Sequence, residues 1–459
     1  MQDIHPTPSQ AVLQEKMQRF LASSERIFRL TGKPGVGKSF MTALCFKEHI
    51  EADRISQSGF NMNIAGICLA HTAKAVLGDF IPNVFTFAKA YGLKEVINEI
   101  TGERTFEYNK YQDVVIGEMD VPVFVHDEVS QYTPEMLRIV LETTPIFSKI
   151  ILIGDRAQLP PIDSKKVMPK DSDSPVFMLN LPESCQHELT ERVRQAEGNP
   201  ILDLSDIIRE EIFGKQDIHR VLQAMSTPRI VDGMGYDFIK YDDFFPDFQT
   251  KDVLNTKFLA YKNKTVNRWN PDIRNYLLDT PDNIIIQGDV VTMIDNFYKV
   301  NPHDPQGRPE FVLYNGDTFR LGETDTCLVT HTVGATTYRI ACYVSKIDGQ
   351  PDKEFLVPTE SGKPVLENAL KEISDKCKGK GRSLRWQDHF WPLYKMFARY
   401  TYGYCQSVYK SQGSTYDSVY LDVNDILTCG PLTSKRKLQS LYTAVTRTKT
   451  NVKLLKSNR

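Results

Sequence analysis

The chain lacks any pair of cysteines at C-x-x-C spacing. Its eight cysteines, at positions 45, 68, 185, 327, 342, 377, 405 and 429, are scattered. That argues against a zinc site and fits small buried thiols in a reducing compartment. No apolar run approaches the roughly 20 residues of a membrane span. The N-terminal stretch is polar, carries Pro6 and Pro8, and has no apolar signal core. The expectation is a cytoplasmic protein with no membrane association. A large excess of positive charge is missing too, since the formal net charge is -2. A binder coated in basic residues is thereby excluded. Any nucleic acid would be held in a local groove, where a stripe of Lys and Arg suffices to attract phosphates. Internal repeats and long low-complexity tracts are also absent.

What is present is a sequence of 459 residues, which at roughly 100–200 residues per domain implies two to four domains. Apolar runs at 27–30, 64–69, 121–125 and 149–153 are strand-length, with polar or helical-looking sequence between them. Runs apolar on both faces suit central parallel strands, and strands alternating with helices indicate a doubly wound α/β domain. A second series at 257–260, 418–421 and 452–455 predicts another such domain. Between its members, residues 283–400 read as short β segments with the turn signals Asn315-Gly316-Asp317 and Asp348-Gly349. The expected division is 1–85 with 121–178, a small insertion at 86–120, then 179–282 with 401–459, and a β-rich insertion at 283–400. A basic stretch at 371–385, centred on Lys378-Gly379-Lys380-Gly381, reads equally well as a solvated loop.

The strongest chemical signal is Gly32-Lys33-Pro34-Gly35-Val36-Gly37-Lys38-Ser39, which fits G-x-x-x-x-G-K-[ST] between a strand-like run and a helical stretch. Gly32, Gly35 and Gly37 let backbone N–H groups wrap a phosphate, and the helix N-terminus adds a favourable dipole. Lys38 is expected at the β- and γ-phosphates of ATP, and Ser39 on Mg²⁺. The second strong run ends in His126-Asp127-Glu128. Two acids after a strand are often only a solvated strand end. Behind a P-loop, Asp127 becomes the magnesium-shell residue and Glu128 the base that deprotonates water. The run at 149–153 leads into Gly154-Asp155-Arg156-Ala157-Gln158-Leu159-Pro160-Pro161. There the Gln158 amide can touch a γ-phosphate and report its loss.

These elements, in this order, resemble motifs I, II and III of superfamily 1 helicases, and the G-D-x-x-Q-L-P form is more specific than a P-loop. Thr7-Pro8-Ser9-Gln10 is similar to the adenine-reading segment, with Gln10 as its glutamine; the alternative is an ordinary helix start capped by Ser9. His71-Thr72-Ala73-Lys74 sits at motif Ia, although Leu69-Ala70-His71 departs from the usual A-P-T. Thr86 lies at a loose motif Ib. Leu189-Thr190-Glu191-Arg192-Val193-Arg194-Gln195 resembles motif IV, with Arg194 as its arginine. Ser407-Val408-Tyr409-Lys410-Ser411-Gln412-Gly413 resembles motif V, with Ser407 and Tyr409 substituted for the common residues. Leu441-Tyr442-Thr443-Ala444-Val445-Thr446-Arg447 matches motif VI closely.

The resemblance spans Gln10 to Arg447 and is similar in layout to the Dda-type helicases of tailed phages, in the RecD-like branch 1B. It implies two RecA-like domains, 1A and 2A, with Arg194 and Arg447 reaching a nucleotide across a cleft. It implies 5′-to-3′ movement on single-stranded DNA, contacted by His71, Thr86, Lys264 and Ser407. It also implies a strand-splitting hairpin in domain 1B, with Phe106 at its tip or flank, and an SH3-like domain 2B. A monomer acting at single-strand/duplex junctions is expected, with a single-strand-binding protein or replisome component as partner. The P-loop by itself leaves other classes open: a phosphotransferase, an oligomeric assembly ATPase, or a nucleotide-gated DNA clamp without unwinding activity. Motifs IV and VI argue against the first two.

Overall fold

The structure, a computed structural model, describes residues 6–56, 62–97, 104–108, 115–162, 168–169, 171–191, 198–280, 285–299, 310–378 and 384–456. Helix α1 (Pro8–Leu21) begins with a capping box: the Thr7 hydroxyl accepts the Gln10 N–H, and the Gln10 side chain accepts the Thr7 N–H. The N-cap is therefore Thr7, two residues earlier than the Ser9 that a simple helix start would use. Strand β1 (Ile27–Gly32) leads to α2 (Lys38–Cys45) and α3 (Lys47–Ser56), then β2 (Ile64–Cys68), α4 (His71–Gly78), β3 (Val84–Thr86) and α5 (Phe87–Ala90). A hairpin of β4 (Leu93–Ile97) and β5 (Arg104–Tyr108) follows, then β6 (Val123–His126), α6 (Pro134–Thr143), β7 (Lys149–Gly154) and β8 (Gln186–Leu189). The first sheet has the order β3-β2-β6-β7-β1-β8 with parallel pairing throughout. Strands β2 and β6 are buried along their whole length, as continuous apolar runs require, and separate clusters cover the two faces.

One expectation about this half needs correction. The boundary at 178/179 assigns β8 to the second domain, yet β8 is the edge of the first sheet, with Leu30 opposite His187. Gln186-His187-Glu188-Leu189 has no apolar run, so periodicity could not mark it as a strand. The insertion at 86–120 contains a hairpin, with Arg104 of β5 opposite Ile97 of β4. Phe106 sits mid-strand opposite Glu95, on the flank of the hairpin.

The second α/β core starts with α7 (Pro200–Phe213), α8 (Ile218–Met225), β9 (Arg229–Val231) and β10 (Met234–Lys240). After α9 (Tyr241–Gln249) come β11 (Thr256–Ala260) and α10 (Asn263–Leu278). The β-rich part comprises β12 (Val290–Met293), β13 (Phe297–Lys299), β14 (Phe311–Leu313), β15 (Thr318–Val333), β16 (Thr336–Ile347) and β17 (Gln350–Pro358). Helices α11 (Gly362–Cys377) and α12 (Trp391–Lys395) and strand β18 (Tyr400–Tyr402) complete it. The chain then returns through β19 (Cys405–Ser407), β20 (Tyr416–Leu421), α13 (Val423–Leu427), α14 (Ser434–Val445) and β21 (Thr448–Lys456). The second sheet runs β19-β11-β20-β21-β10-β9, parallel from β20 through β10, with β9 antiparallel at the edge.

The chain divides into two compact units, and both α/β cores fall in one of them, with residues 1–240, 259–263 and 407–459. The other unit holds 241–258 and 264–406, more than the 283–400 expected. The reason is an aromatic cluster: Phe244, Phe258 and Trp269 pack at 4.4–5.3 Å between ring centroids, so α9 and α10 belong with the β-rich part. The fully buried Arg274–Asp289 ion pair ties α10 to the entry of β12. In this unit β17-β16-β15-β12-β18 form an antiparallel sheet. Both anticipated turns occur, with Gly316 and Gly349 at φ 92° and 74°. The basic stretch begins in α11, whose C-cap is Lys378, and the rest of its centre, 379–381, lies outside the described residues. Among the described residues no helix is long and apolar enough to cross a membrane.

Candidate functional site: a nucleotide site between two α/β cores

The P-loop leaves β1 under a steric constraint that only glycine meets. A Cβ on Gly32 would lie 2.7 Å from the Leu189 carbonyl oxygen of β8. Gly35 and Gly37 then take φ of 79° and 81°, the left-handed region. Helix α2 starts directly after them, so its free N–H groups point into the loop. The Lys38 ammonium crosses the loop mouth, donating to the carbonyls of Gly32 at 2.9 Å and Lys33 at 3.1 Å. Gln10 is buried beside it, its amide nitrogen 3.7 Å from where a Gly37 Cβ would stand.

Strand β6 delivers the acidic pair. The Asp127 N–H continues the ladder to the Ile67 carbonyl at 2.9 Å. Its carboxylate accepts from Ser39 Oγ at 3.4 Å and from the Glu128 N–H at 2.8 Å. Glu128 has φ 54°, a strained setting for a side-chain-bearing residue. It turns the glutamate away from the strand direction. Removal from solvent pushes both carboxyl groups above the ordinary range. For Glu128 the charge of Asp127 adds to this, while Arg447 and Lys38 pull the other way. A glutamate so balanced, with cations on two sides, suits a general base. Ser39 and Asp127 together form the hard-oxygen pair that a magnesium ion takes in P-loop sites.

The loop after β7 is held by the second core. Asp155, fully buried, accepts from Arg209 of α7 and from the Tyr442 hydroxyl of α14 at 2.7 Å. Arg209 also pairs with Glu188 of β8 at 2.8 Å. The Leu159 N–H donates to Thr443 Oγ1, and its carbonyl accepts from the Gln412 amide, both at 3.0 Å. Lys33 of the P-loop reaches Asp206 of α7 at 2.6 Å. Gln158 is buried in this loop, and its side-chain oxygen has no partner among the described residues. That is an unusual expense for a buried amide, and it fits a group waiting for a ligand or its attacking water. Arg447, at the end of α14, is buried with Nε on the Thr443 carbonyl at 3.2 Å.

Lys38, Ser39, Asp127, Glu128, Gln158 and Arg447 therefore belong to one locality, as the motif spacing anticipates. Arg194 lies outside the described residues. Among the cross-core contacts, Arg209 and Asp206 were not singled out from the sequence, and Lys33 and Asp155 were quoted only as motif members. Tyr442 and Gln412 stood inside quoted motifs without a role, and nothing in the local pattern marks Arg209.

The residues expected at DNA are a more mixed set. His71 is the first residue of α4, half-buried, and burial followed by the charges of Lys74 and Lys89 holds its pKa down to about 4. Thr86 caps α5, its hydroxyl accepting the Lys89 N–H at 3.4 Å. Motifs Ia and V adjoin, since a Cβ on Gly413 would lie 3.4 Å from the Ala73 Cβ. Ser407 is 6 % exposed and its hydroxyl accepts the Lys410 N–H at 3.3 Å. It thus shapes the motif V turn, and Lys410 is the exposed residue there. Lys264 is exposed on α10, in the other unit. Phe106 is placed only by its backbone register.

A P-loop and an acidic pair on one RecA-like core, faced by a buried arginine from a second, define a P-loop nucleoside-triphosphatase of the two-core motor type. Residues 9–221 match the AAA domain model and residues 402–455 the UvrD-like helicase C-terminal domain. The chain is 26% identical over 428 residues to the ATP-dependent DNA helicase Dda of Enterobacteria phage T4, covering 85% of this chain and 86% of that protein. It is 23% identical over 514 residues to an uncharacterised protein of Acanthamoeba polyphaga mimivirus, covering 95% and 97%. Over most of its length the chain is thus a homologue of Dda. Two solved Pif1 helicases are also similar. Bacteroides Pif1 with ADP-AlF3 and single-stranded DNA is 16% identical at TM-score 0.47, covering 98% of this chain and 92% of that one. The Candida albicans Pif1 is 14% identical at TM-score 0.44, covering 99% and 96%.

Proposed function

We propose that the chain is an ATP-driven DNA helicase that moves 5′-to-3′ on single-stranded DNA and opens duplexes at single-strand/duplex junctions. The observation that carries this is the clasp of the β7 loop, with Gln158 in it, by the core that supplies Arg447. A phosphotransferase has no use for a second core there, whereas a motor needs phosphate loss to be felt by both. The helicase name of the Dda relative supports the same reading.

In this reading Lys38 and the loop glycines hold the phosphates of ATP and Gln10 recognises the adenine. Ser39 and Asp127 hold Mg²⁺, which neutralises phosphate charge when bound. Glu128 takes the proton of the attacking water. Gln158 orients that water or senses the γ-phosphate. Arg447 and Arg194 stabilise charge that develops on transfer. His71, Thr86 and Lys264 contact the DNA backbone, Ser407 supports the turn that presents Lys410, and Phe106 on the hairpin separates strands. The enzyme works as a monomer in the cytoplasm, with a single-strand-binding protein or a replisome component as partner.

The test is ATP hydrolysis with and without single-stranded DNA, alongside unwinding of duplexes carrying a 5′ or a 3′ tail. Strong stimulation by DNA and opening of the 5′-tailed substrate are expected, both abolished by Lys38→Ala. Stimulated hydrolysis with no unwinding of either substrate would make the chain a nucleotide-gated clamp instead.

A further inference from the structure

The residue before the acidic pair is a buried histidine whose neighbours lead to the hairpin. His126 ends β6 and is fully buried. Its Nδ1 is 2.9 Å from the Tyr132 hydroxyl and its Nε2 3.2 Å from the Tyr91 hydroxyl. The Tyr91 hydroxyl continues to Thr144 Oγ1 at 3.3 Å. The Tyr91 and His126 rings lie nearly parallel, 6.0 Å apart at 19°. Phe87 packs on Tyr91 at 4.8 Å and on Tyr132 at 5.4 Å. With a tyrosine hydroxyl at each ring nitrogen, the neutral imidazole donates through one and accepts through the other. Either tautomer gives a directed chain in which each bond polarises the next.

Tyr91 is where the insertion leaves the first core, and the insertion's returning end closes on it. A Cβ on Gly117 would stand 2.5 Å from Tyr91 Cε1, and one on Gly92 would stand 2.9 Å from Val115 Cγ2. Gly92 itself takes φ 64° to start β4. The outgoing and incoming ends of the hairpin are thus gripped around one ring, and that ring is hydrogen-bonded to the strand that carries Asp127.

We infer that His126 and Tyr91 are positioning residues that brace the root of the β4–β5 hairpin on β6, so that movement of Asp127 and Glu128 during the nucleotide cycle is passed to the hairpin. This rests on the helicase reading above. Neither side chain touches nucleotide or DNA in this scheme; both act through what they hold.

Tyr91→Phe keeps the ring and its packing and removes only the hydroxyl link. DNA-stimulated ATP hydrolysis should stay within about two-fold of wild type, while base pairs opened per ATP on a forked duplex fall about five-fold, the scale of one lost neutral hydrogen bond. Thr144→Val, which frees the far end of the chain, should move the ratio in the same direction by less. Unchanged coupling in Tyr91→Phe overturns the proposal. So does a loss of hydrolysis and unwinding in equal proportion, which marks a purely structural role. Hydrogen exchange of residues 93–108 on adding a non-hydrolysable ATP analogue supplies a readout independent of unwinding. Wild type should show a change there that Tyr91→Phe lacks. If wild type opens no duplex, the helicase reading fails, and the exchange experiment still decides the brace: the same response in both proteins overturns it.

Discussion

At the residue scale, the proposed general base is Glu128. The chain turns sharply there at the end of a buried strand, in the left-handed region, and removal from solvent first, then the neighbouring Asp127 charge, raises the Glu128 pKa. Glu128→Gln should leave binding of an ATP analogue nearly intact and lower kcat of DNA-stimulated hydrolysis by about 10²–10⁴, the usual contribution of a positioned base. Retention of more than about a tenth of wild-type kcat would move the base elsewhere. His126 makes a prediction of opposite kind, about stability. Its folded pKa of about 3 lies below the 6.5 of an exposed imidazole in the unfolded chain, so the unfolded chain binds the extra proton first. Its contribution to stability is full above 6.5 and is lost as pH falls toward 3. The melting temperature should therefore drop between pH 6.5 and pH 4, and His126→Gln should flatten that dependence. An unchanged slope in the variant would assign the acid sensitivity to other groups.

At the scale of elements, the loop after β7 matters more than its length suggests. It leaves one core and is held by α7, α14 and the motif V turn of the other, with Arg156 tied back to Asp173 at 2.7 Å. The Asp155 carboxylate is fully buried, so removing its cation leaves a charge with no solvent to compensate it. Arg209→Ala should cost about 3–5 kcal/mol of unfolding free energy in denaturant titrations. The double variant Asp155→Asn with Arg209→Met should recover a substantial part, because the stranded charge is gone. If the double variant is as unstable as the single one, the arginine contributes packing, including its cation–π contact with Phe213, rather than charge.

For the whole molecule, a net charge of -2 means that DNA must be held by selected cations. Lys74, Lys89, Lys264 and Lys410 are the candidates that the motif positions and the surface supply. Each phosphate contact should contribute about 0.7 to the slope of log affinity against log salt for a single strand. Lys264→Ala is expected to weaken single-strand binding uniformly across sequences and to reduce that slope by about this amount. An unchanged slope would remove Lys264 from the track.

Sequence alone determined the parts whose chemistry is local. A P-loop is a backbone conformation dictated by glycines at fixed spacing, so Gly32 to Ser39 could be read as such before any fold was known. Asp127 and Glu128 followed from an apolar strand ending in acids, and the seven apolar runs each became strands of the two α/β sheets. The turns at Gly316 and Gly349 were equally legible, because a left-handed turn residue announces itself. Tertiary structure decided whatever depends on residues brought together from a distance. The polar strand β8 gains its place only by pairing with β1. Helices α9 and α10 join the β-rich unit only because Phe244, Phe258 and Trp269 meet. Arg209 finds Asp155 across 54 positions, and Tyr91 finds His126 across 35. No periodicity encodes such pairs, since their energy comes from burial and hydrogen bonding that exist only after the chain has closed on itself.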